Sequence, residues 1–332
     1  MDSIYWIIIT ALLLLAAFDL INGVANDAVN FLNSAIGSKA APVRVILTVA
    51  SIGVLVGACF SGGMMEVARN GIFHPDMFSY HEVMLLFLGV MISEVILLDT
   101  FNTFGLPTST TVSLVFGILG SAVATALFKI SKLRLVQSVT SILLSVAIAF
   151  TVGTIVMWIS RLAFTFKYQS RFKWFGCFWC GIAMTAIAYF AVFKGLKEST
   201  LMEPSFIQYI DQNLGMALLT AFGGFSVLMF LLQHLFMTNI LRLTVLAGTF
   251  SLALAFAGND LVNFIGVFMG GLDSFQYASG VAAAGGSPSS ITSMECLMPG
   301  QGMPVNHYIL FAAGCMMIFA LWFSKKAKTV IA

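Results

Sequence analysis

The sequence predicts an all-α polytopic membrane protein, and three observations carry that expectation. The 332 residues are 59% hydrophobic and only 9% charged, with a mean hydropathy of +0.98, whereas a soluble domain carries roughly 25% charged residues. Apolar runs of membrane-spanning length recur along the chain with short polar stretches between them. At about 20 residues per crossing, roughly nine or ten helices are expected, with little chain left for a soluble domain. A cytosolic enzyme and a disordered tail are excluded. Nucleic acid is excluded as a partner too, because the net charge is only +2 and the basic residues are scattered through loops.

The runs lie near residues 4–36, 43–63, 81–104, 107–128, 135–160, 174–193, 213–236, 238–272 and 305–323. The first reads as a mature helix and not a signal peptide, since Met1-Asp2-Ser3 supplies no basic start and Asp19 and Asn22 interrupt the apolar stretch. Polar loops follow at 129–134, 161–173 and 194–213, and a Gly/Ser/Pro-rich stretch runs over 272–304. Basic loops flank both ends of the run 135–160, so the positive-inside rule gives no orientation. A re-entrant hairpin over 107–128, broken at Gly105 and Pro107, would reconcile them. The five cysteines (Cys59, Cys177, Cys180, Cys296 and Cys315) sit mostly in apolar runs and read as small core residues. Cys177-Phe-Trp-Cys180 has no second pair to complete a metal site.

Five acids fall inside these runs: Asp19, Asp27, Glu94, Asp99 and Asp260. Each costs at least about 2.5 kcal/mol at a helix centre, so such residues usually face a cavity or a pathway. On a helix over 19–37, Asp19, Asn22, Gly23, Asn26, Asp27, Asn30, Asn33 and Gly37 share an arc of about 140°. The opposite arc is apolar. Asn26-Asp27-Ala28-Val29-Asn30 returns as Asn259-Asp260-Leu261-Val262-Asn263, 233 residues later, and two such copies mark an internal repeat. Their carboxylate and amide oxygens suit Na⁺ or a transferable proton. Between the copies, Gly105-Leu106-Pro107 breaks a helix just before Thr108, Ser109, Thr110 and Thr111. A half-helix starting there offers backbone N–H groups, a positive dipole end and hydroxyls to an anion.

These residues resemble the inorganic phosphate transporter (PiT) family, whose mark is a G-A-N-D-V-A-N-like motif in each of two inverted repeats, each followed by P-x-S-T-T. The first copy here is Asn22-Gly23-Val24-Ala25-Asn26-Asp27-Ala28-Val29-Asn30, continuing to Ile36-Gly37-Ser38-Lys39-Ala40. The second is Ala257-Gly258-Asn259-Asp260-Leu261-Val262-Asn263-Phe264-Ile265-Gly266. Pro107-Thr108-Ser109-Thr110-Thr111, the stretch 57–71 with Glu66 and Arg69, and Phe193-Lys194-Gly195-Leu196-Lys197 are similar to family segments as well. Val24 stands where the family usually has the motif glycine, and Val112 where a histidine often follows S-T-T.

The resemblance implies an inverted-repeat secondary transporter with broken helices and re-entrant hairpins, importing inorganic phosphate by cation-coupled alternating access with Na⁺ as the coupling ion. It assigns Asn26, Asp27, Asn30, Asn259, Asp260 and Asn263 to Na⁺ or H⁺, and Ser109, Thr110 and Thr111 to phosphate. Glu94 and Asp99, near Thr110 in sequence, are accessory acids that could accept a hydrogen bond from protonated phosphate. The expected organisation is a first repeat with connecting helices over 1–235 and a second over 236–332. Counting from Asp260 by the spacing of Asp27 to Thr110, the second S-T-T falls near position 343, so the second repeat is expected to be incomplete and the chain the front part of a longer protein. The expected partners are phosphate, Na⁺ or H⁺ and the lipid bilayer, with no cofactor beyond the coupling ion. The expected location is multi-pass in the cell (inner) membrane, and a homo-oligomer is compatible with all of this. Coupling to H⁺, or a broader oxyanion range including sulfate, is the alternative within the class. A channel lacks a filter motif here. An enzyme is not expected, because no G-x-S-x-G or H-E-x-x-H occurs and His74, His81, His234 and His307 lack ligand spacing.

Overall fold

Apolar side chains point out of the first helix and polar ones point in, the reverse of a soluble helix. In the computed structural model, which describes residues 3–61, 75–106, 108–125, 132–164, 168–192, 204–298 and 306–324, α1 (Ser3–Gly37) exposes Ile4, Trp6, Ile7, Leu13, Leu14 and Phe18. It buries Asp19, Asn22, Asn26 and Asp27. That distribution suits a hydrocarbon surround, where no water rewards an outward polar group. The polar arc expected from periodicity is therefore inward-facing as far as Asp27, and it opens at Asn30 and Asn33, which are exposed.

The described elements are otherwise α2 (Val43–Cys59), α3 (Tyr80–Thr103), α4 (Thr110–Thr125), α5 (Lys132–Phe164), α6 (Tyr168–Phe190), α7 (Pro204–Gln212), α8 (Leu214–His234), α9 (Ile240–Ala283) and α10 (His307–Phe323), with short 3₁₀ turns at Pro75–Met77, Pro288–Ser290 and Glu295–Leu297. No strand occurs among the described residues. Five helical stretches, 3–37, 80–103, 147–164, 214–234 and 240–283, are long and apolar enough to cross a membrane, and 43–59, 110–124 and 307–323 are shorter apolar helices. The chain makes two compact units: Met1–Ile130 with Ile187–Gln212 and Val245–Ala332, and Ser131–Ala186 with Asn213–Thr244.

In the first unit α1 packs on α2, α3 and α10, and α4 folds back on α3. The α1–α3 pair is parallel. Tyr5 meets Tyr80 with ring centroids 4.6 Å apart and pairs with His81 at 3.3 Å, while further along both helices Asn26 meets Asn102. Helix α3 starts with a capping box in which the Ser79 hydroxyl accepts from Glu82 N and the Glu82 carboxylate accepts from Ser79 N, worth about 1 kcal/mol. It stops at Gly105, whose φ of 66° lets Leu106 N donate to Phe101 O. Chain direction then reverses, and α4 begins at Thr110, where the sequence places a helix start.

Helix α9 runs antiparallel to α1: a Cβ on Gly23 would strike the Phe264 ring, one on Gly271 would come within 2.7 Å of Leu12, and Trp6 meets Phe275 edge-on at 4.8 Å. Where the sequence suggests that the apolar run ends near 272, α9 continues to Ala283. Gly270 and Gly271 do not break it because they sit under Phe87 and Leu12 and serve close packing. Helix α2 carries a G-x-x-x-G pair, Gly53 and Gly57, against the α9 backbone, where a Cβ on Gly53 would lie 2.5 Å from Phe250 O. A separate surprise is α7, which forms within the stretch read from sequence as a loop over 194–213.

The second unit has a small core of Cys177, Cys180, Met229 and Ile240. Both cysteines are free thiols, the core role expected of them. Gly181 lets α6 close on Ser226 of α8, and Phe164 meets Trp179 edge-on at 5.3 Å. Residues 147–164 of α5 bury almost nothing, presenting Phe150, Ile155, Met157 and Trp158 outward, as a lipid-facing helix does.

Candidate functional site

Both N-D-x-x-N copies lie on unbroken helices, and both reach the start of α4. From α1, Asp27 Oδ2 accepts from the Thr110 hydroxyl at 3.1 Å and Asp27 Oδ1 accepts from Asn30 Nδ2 at 3.4 Å. From α9, Asn263 Nδ2 donates to Thr111 Oγ1 at 2.9 Å, to Thr110 Oγ1 at 3.4 Å and to Asp260 Oδ1 at 3.3 Å. Asp27 and Asp260 are near enough for their charges to repel. Two carboxylates drawn together with amide and hydroxyl oxygens make a hard-oxygen, net-negative cluster, the donor set a small cation takes. No three of His, Cys, Asp and Glu gather to hold a metal ion among the described residues.

The cluster opens into a cavity of about 460 Å³ lined by Asn30, Thr111, Phe190, Asn259, Asp260 and Asn263. Thr110 and Asp27 are buried behind that wall, whereas Thr111 is exposed to it. Asp260 and Thr111 thus stand at the cavity in front of Asp27 and Thr110.

Other expected residues stand elsewhere. Asn259 lines the cavity, but its Nδ2 donates to Ala255 O of its own helix. The Ser109 hydroxyl accepts from Val112 N at 3.4 Å, capping α4. Glu94 is buried against Asp19 and Ser113, and Asp99 is half-buried. Pro107, Glu66, Arg69 and the segment 193–197 lie outside the described residues.

Asn26 turns its side chain to the α3–α4 turn. Its Oδ1 accepts from Thr108 N at 2.8 Å, and its Nδ2 donates to Asn102 Oδ1 at 2.7 Å and to Leu106 O at 3.2 Å. Asn102 Nδ2 in turn donates to Asn22 O at 2.7 Å. This clip fixes where α4 begins relative to α1, and hence where Thr110 meets Asp27. Asn102 escapes a sequence reading because it belongs to no motif; an amide inside an apolar run, three residues before Gly105, is its only signal. Asn102→Leu leaves Asn26 and the Asn22 carbonyl short of partners at about 1–3 kcal/mol per orphaned group. The expected result is a lower unfolding midpoint, read by thermal unfolding in detergent.

A polytopic helical membrane protein that gathers acids and amides from two antiparallel helices at the start of a third has the build of a secondary transporter. The chain belongs to the phosphate transporter family, whose sequence model matches residues 22–327. A Thermococcus kodakarensis protein provisionally named a phosphate permease is 29% identical over 185 residues, which is 53% of this chain and 45% of that one. A Pyrococcus furiosus protein with the same provisional description is 28% identical over 257 residues, 73% of this chain and 60% of its own. A Plasmodium falciparum sodium-dependent phosphate transporter is 30% identical over 182 residues, 51% of this chain and 27% of its own. The chain thus spans about half the length of the relatives first matched. A solved sodium-dependent phosphate transporter shares its fold at a TM-score of 0.64 and 17% identity, over 97% of this chain and 76% of that one.

Proposed function

We propose that this protein imports inorganic phosphate together with Na⁺ by alternating access, in a cell (inner) membrane. The observation that carries the reading is the meeting of Asp27, Asp260 and Asn263 at Thr110 and Thr111. In it, Asp27, Asn30, Asp260 and Asn263 hold the cation, with Asn259 at the cavity wall and Asn26 positioning the turn. Ser109, Thr110 and Thr111 present hydroxyls and the positive end of α4 to phosphate. A cation at the two acids removes the repulsion an incoming anion would otherwise meet, which couples the two ligands without any contact beyond the cluster. The antiparallel course of α1 and α9, each carrying one N-D-x-x-N copy, supports an inverted repeat. The name of the Plasmodium falciparum relative supports sodium as the coupling ion.

Labelled-phosphate uptake into proteoliposomes under an inward Na⁺ gradient, and separately under an inward H⁺ gradient, tests this. Uptake against the phosphate gradient is expected with Na⁺ alone; uptake driven by H⁺ without Na⁺ would overturn the choice of ion. Thr110→Ala with Thr111→Ala is expected to weaken phosphate affinity more than tenfold, about 1.4 kcal/mol per decade, and to change sodium affinity less. Equal loss of both would remove the assignment of these hydroxyls to the anion.

A further inference from the structure

The cation cluster accounts for Asp27 and Asp260 but leaves three other acids buried in the same unit, Asp19, Glu94 and Asp273, of which the first two lie close together. Asp19 is 0% exposed and Glu94 1%, and none of their carboxyl oxygens has a hydrogen-bond partner among the described residues. The parallel register of α1 and α3, offset by 76 residues at both Tyr5–His81 and Asn26–Asn102, brings Asp19 beside Glu94, close enough for their charges to interact. The Ser113 hydroxyl approaches Glu94 from α4 without closing a hydrogen bond of ordinary length. Val90, Met91, Leu98 and Leu114 are buried in the same core.

Two carboxylates removed from water cost several kcal/mol each if charged, and like charges at close range do not both ionise. Helices α1 and α4 contain no Lys, Arg or His, and the basic side chain of α3, His81, lies at its start against Tyr5. The other acids on the helices around the pair are Asp27 on α1, Glu82 and Asp99 on α3, and Asp260 and Asp273 on α9; Asp19 is the group whose charge acts on Glu94.

We infer that Asp19 and Glu94 form a proton-binding site separate from the Asp27–Asp260 cluster, in which one proton is held between the two carboxyl groups. A bare proton needs only the two carboxyls, whereas a hard metal cation takes about six oxygens and finds five here, four of them on the two acids and one on Ser113. The site bears on transport through its walls. Asp19 and Asp27 are both on α1, and Glu94 and Thr110 are both on the α3–α4 hairpin, so both sites share these two elements. A movement that parts the hairpin from α1 to free the cation also opens the acid pair and lets its proton go. This inference holds whichever ion occupies the cluster at Asp27.

Infrared spectroscopy of the purified protein at neutral pH reads it directly. A protonated-carboxyl C=O band is expected, equivalent to one proton per chain and unchanged when sodium chloride replaces choline chloride. Asp19→Asn with Glu94→Gln is expected to lose the band. Asp27→Asn with Asp260→Asn is expected to keep it, which separates this site from the proposed cation cluster. If the double change at the pair does not fold, Ser113→Ala in its place is expected to shift the band without removing it. A wild-type protein with no such band, a band that sodium abolishes, a band that survives in the Asp19→Asn/Glu94→Gln variant, or a band unmoved by Ser113→Ala would overturn the inference.

Discussion

Asp27→Asn and Asp260→Asn are each expected to abolish sodium-driven phosphate uptake, with a fall of about two orders of magnitude, or ~2.7 kcal/mol at about 1.36 kcal/mol per decade. The amide keeps the shape of the carboxylate, and in Asp27→Asn the amide oxygen still accepts the Thr110 hydroxyl, so the fold is retained. What is lost is one of the two negative charges to which the proposed function assigns the cation. The two variants should differ in detail. Asp27 lies behind the cavity wall and is 4% exposed, so its loss removes the cation's inner anchor, whereas Asp260 lines the cavity and its loss also weakens first capture. Uptake at several sodium concentrations checks this, with chromatographic recovery in detergent as the fold control. Normal sodium-driven uptake by either variant would strike its carboxylate from the cation site.

Gly57→Val is expected to have the largest effect on stability. A Cβ at position 57 would strike the Leu254 carbonyl and approach Ala257 at 3.0 Å and Gly258 N at 3.0 Å. Two of those three obstacles are backbone of α9, so no rotamer change relieves them and α2 must move off α9. Overpacking of this kind costs about 3 kcal/mol. Because α9 carries Asp260 and Asn263 one turn further on, the shift also loosens their hold on Thr111. Thermal unfolding in detergent should show a lower midpoint together with weakened phosphate binding. Val substituted at Gly120, where a Cβ meets nothing within 4 Å, should leave both unchanged and serves as the comparison.

Much of this was legible in the sequence, because helical periodicity reports which face of a helix is polar. The α1 arc, the paired pentapeptides and the helix break at Gly105 all appear where pattern and turn chemistry put them. What pattern does not report is which neighbour a face meets. Asn26 and Asp27 are adjacent in one motif, yet Asn26 turns to the α3–α4 turn and Asp27 to Thr110, a division set by the 100° between successive residues and by the parallel placement of α3. Glu94 is near Thr110 in sequence, but the hairpin carries it along α3 to Asp19. Gly270-Gly271 looks like a breaker in isolation; tertiary packing under Phe87 and Leu12 keeps α9 helical through it.

Sodium and phosphate are expected to occupy one cluster, each raising the affinity of the other. Equilibrium binding of labelled phosphate to the purified protein, in sodium chloride and again in choline chloride with excess sulfate as competitor, tests this most directly. Binding that requires sodium and withstands sulfate is the expected result. Binding of equal strength in choline chloride, or binding that sulfate displaces, would contradict it.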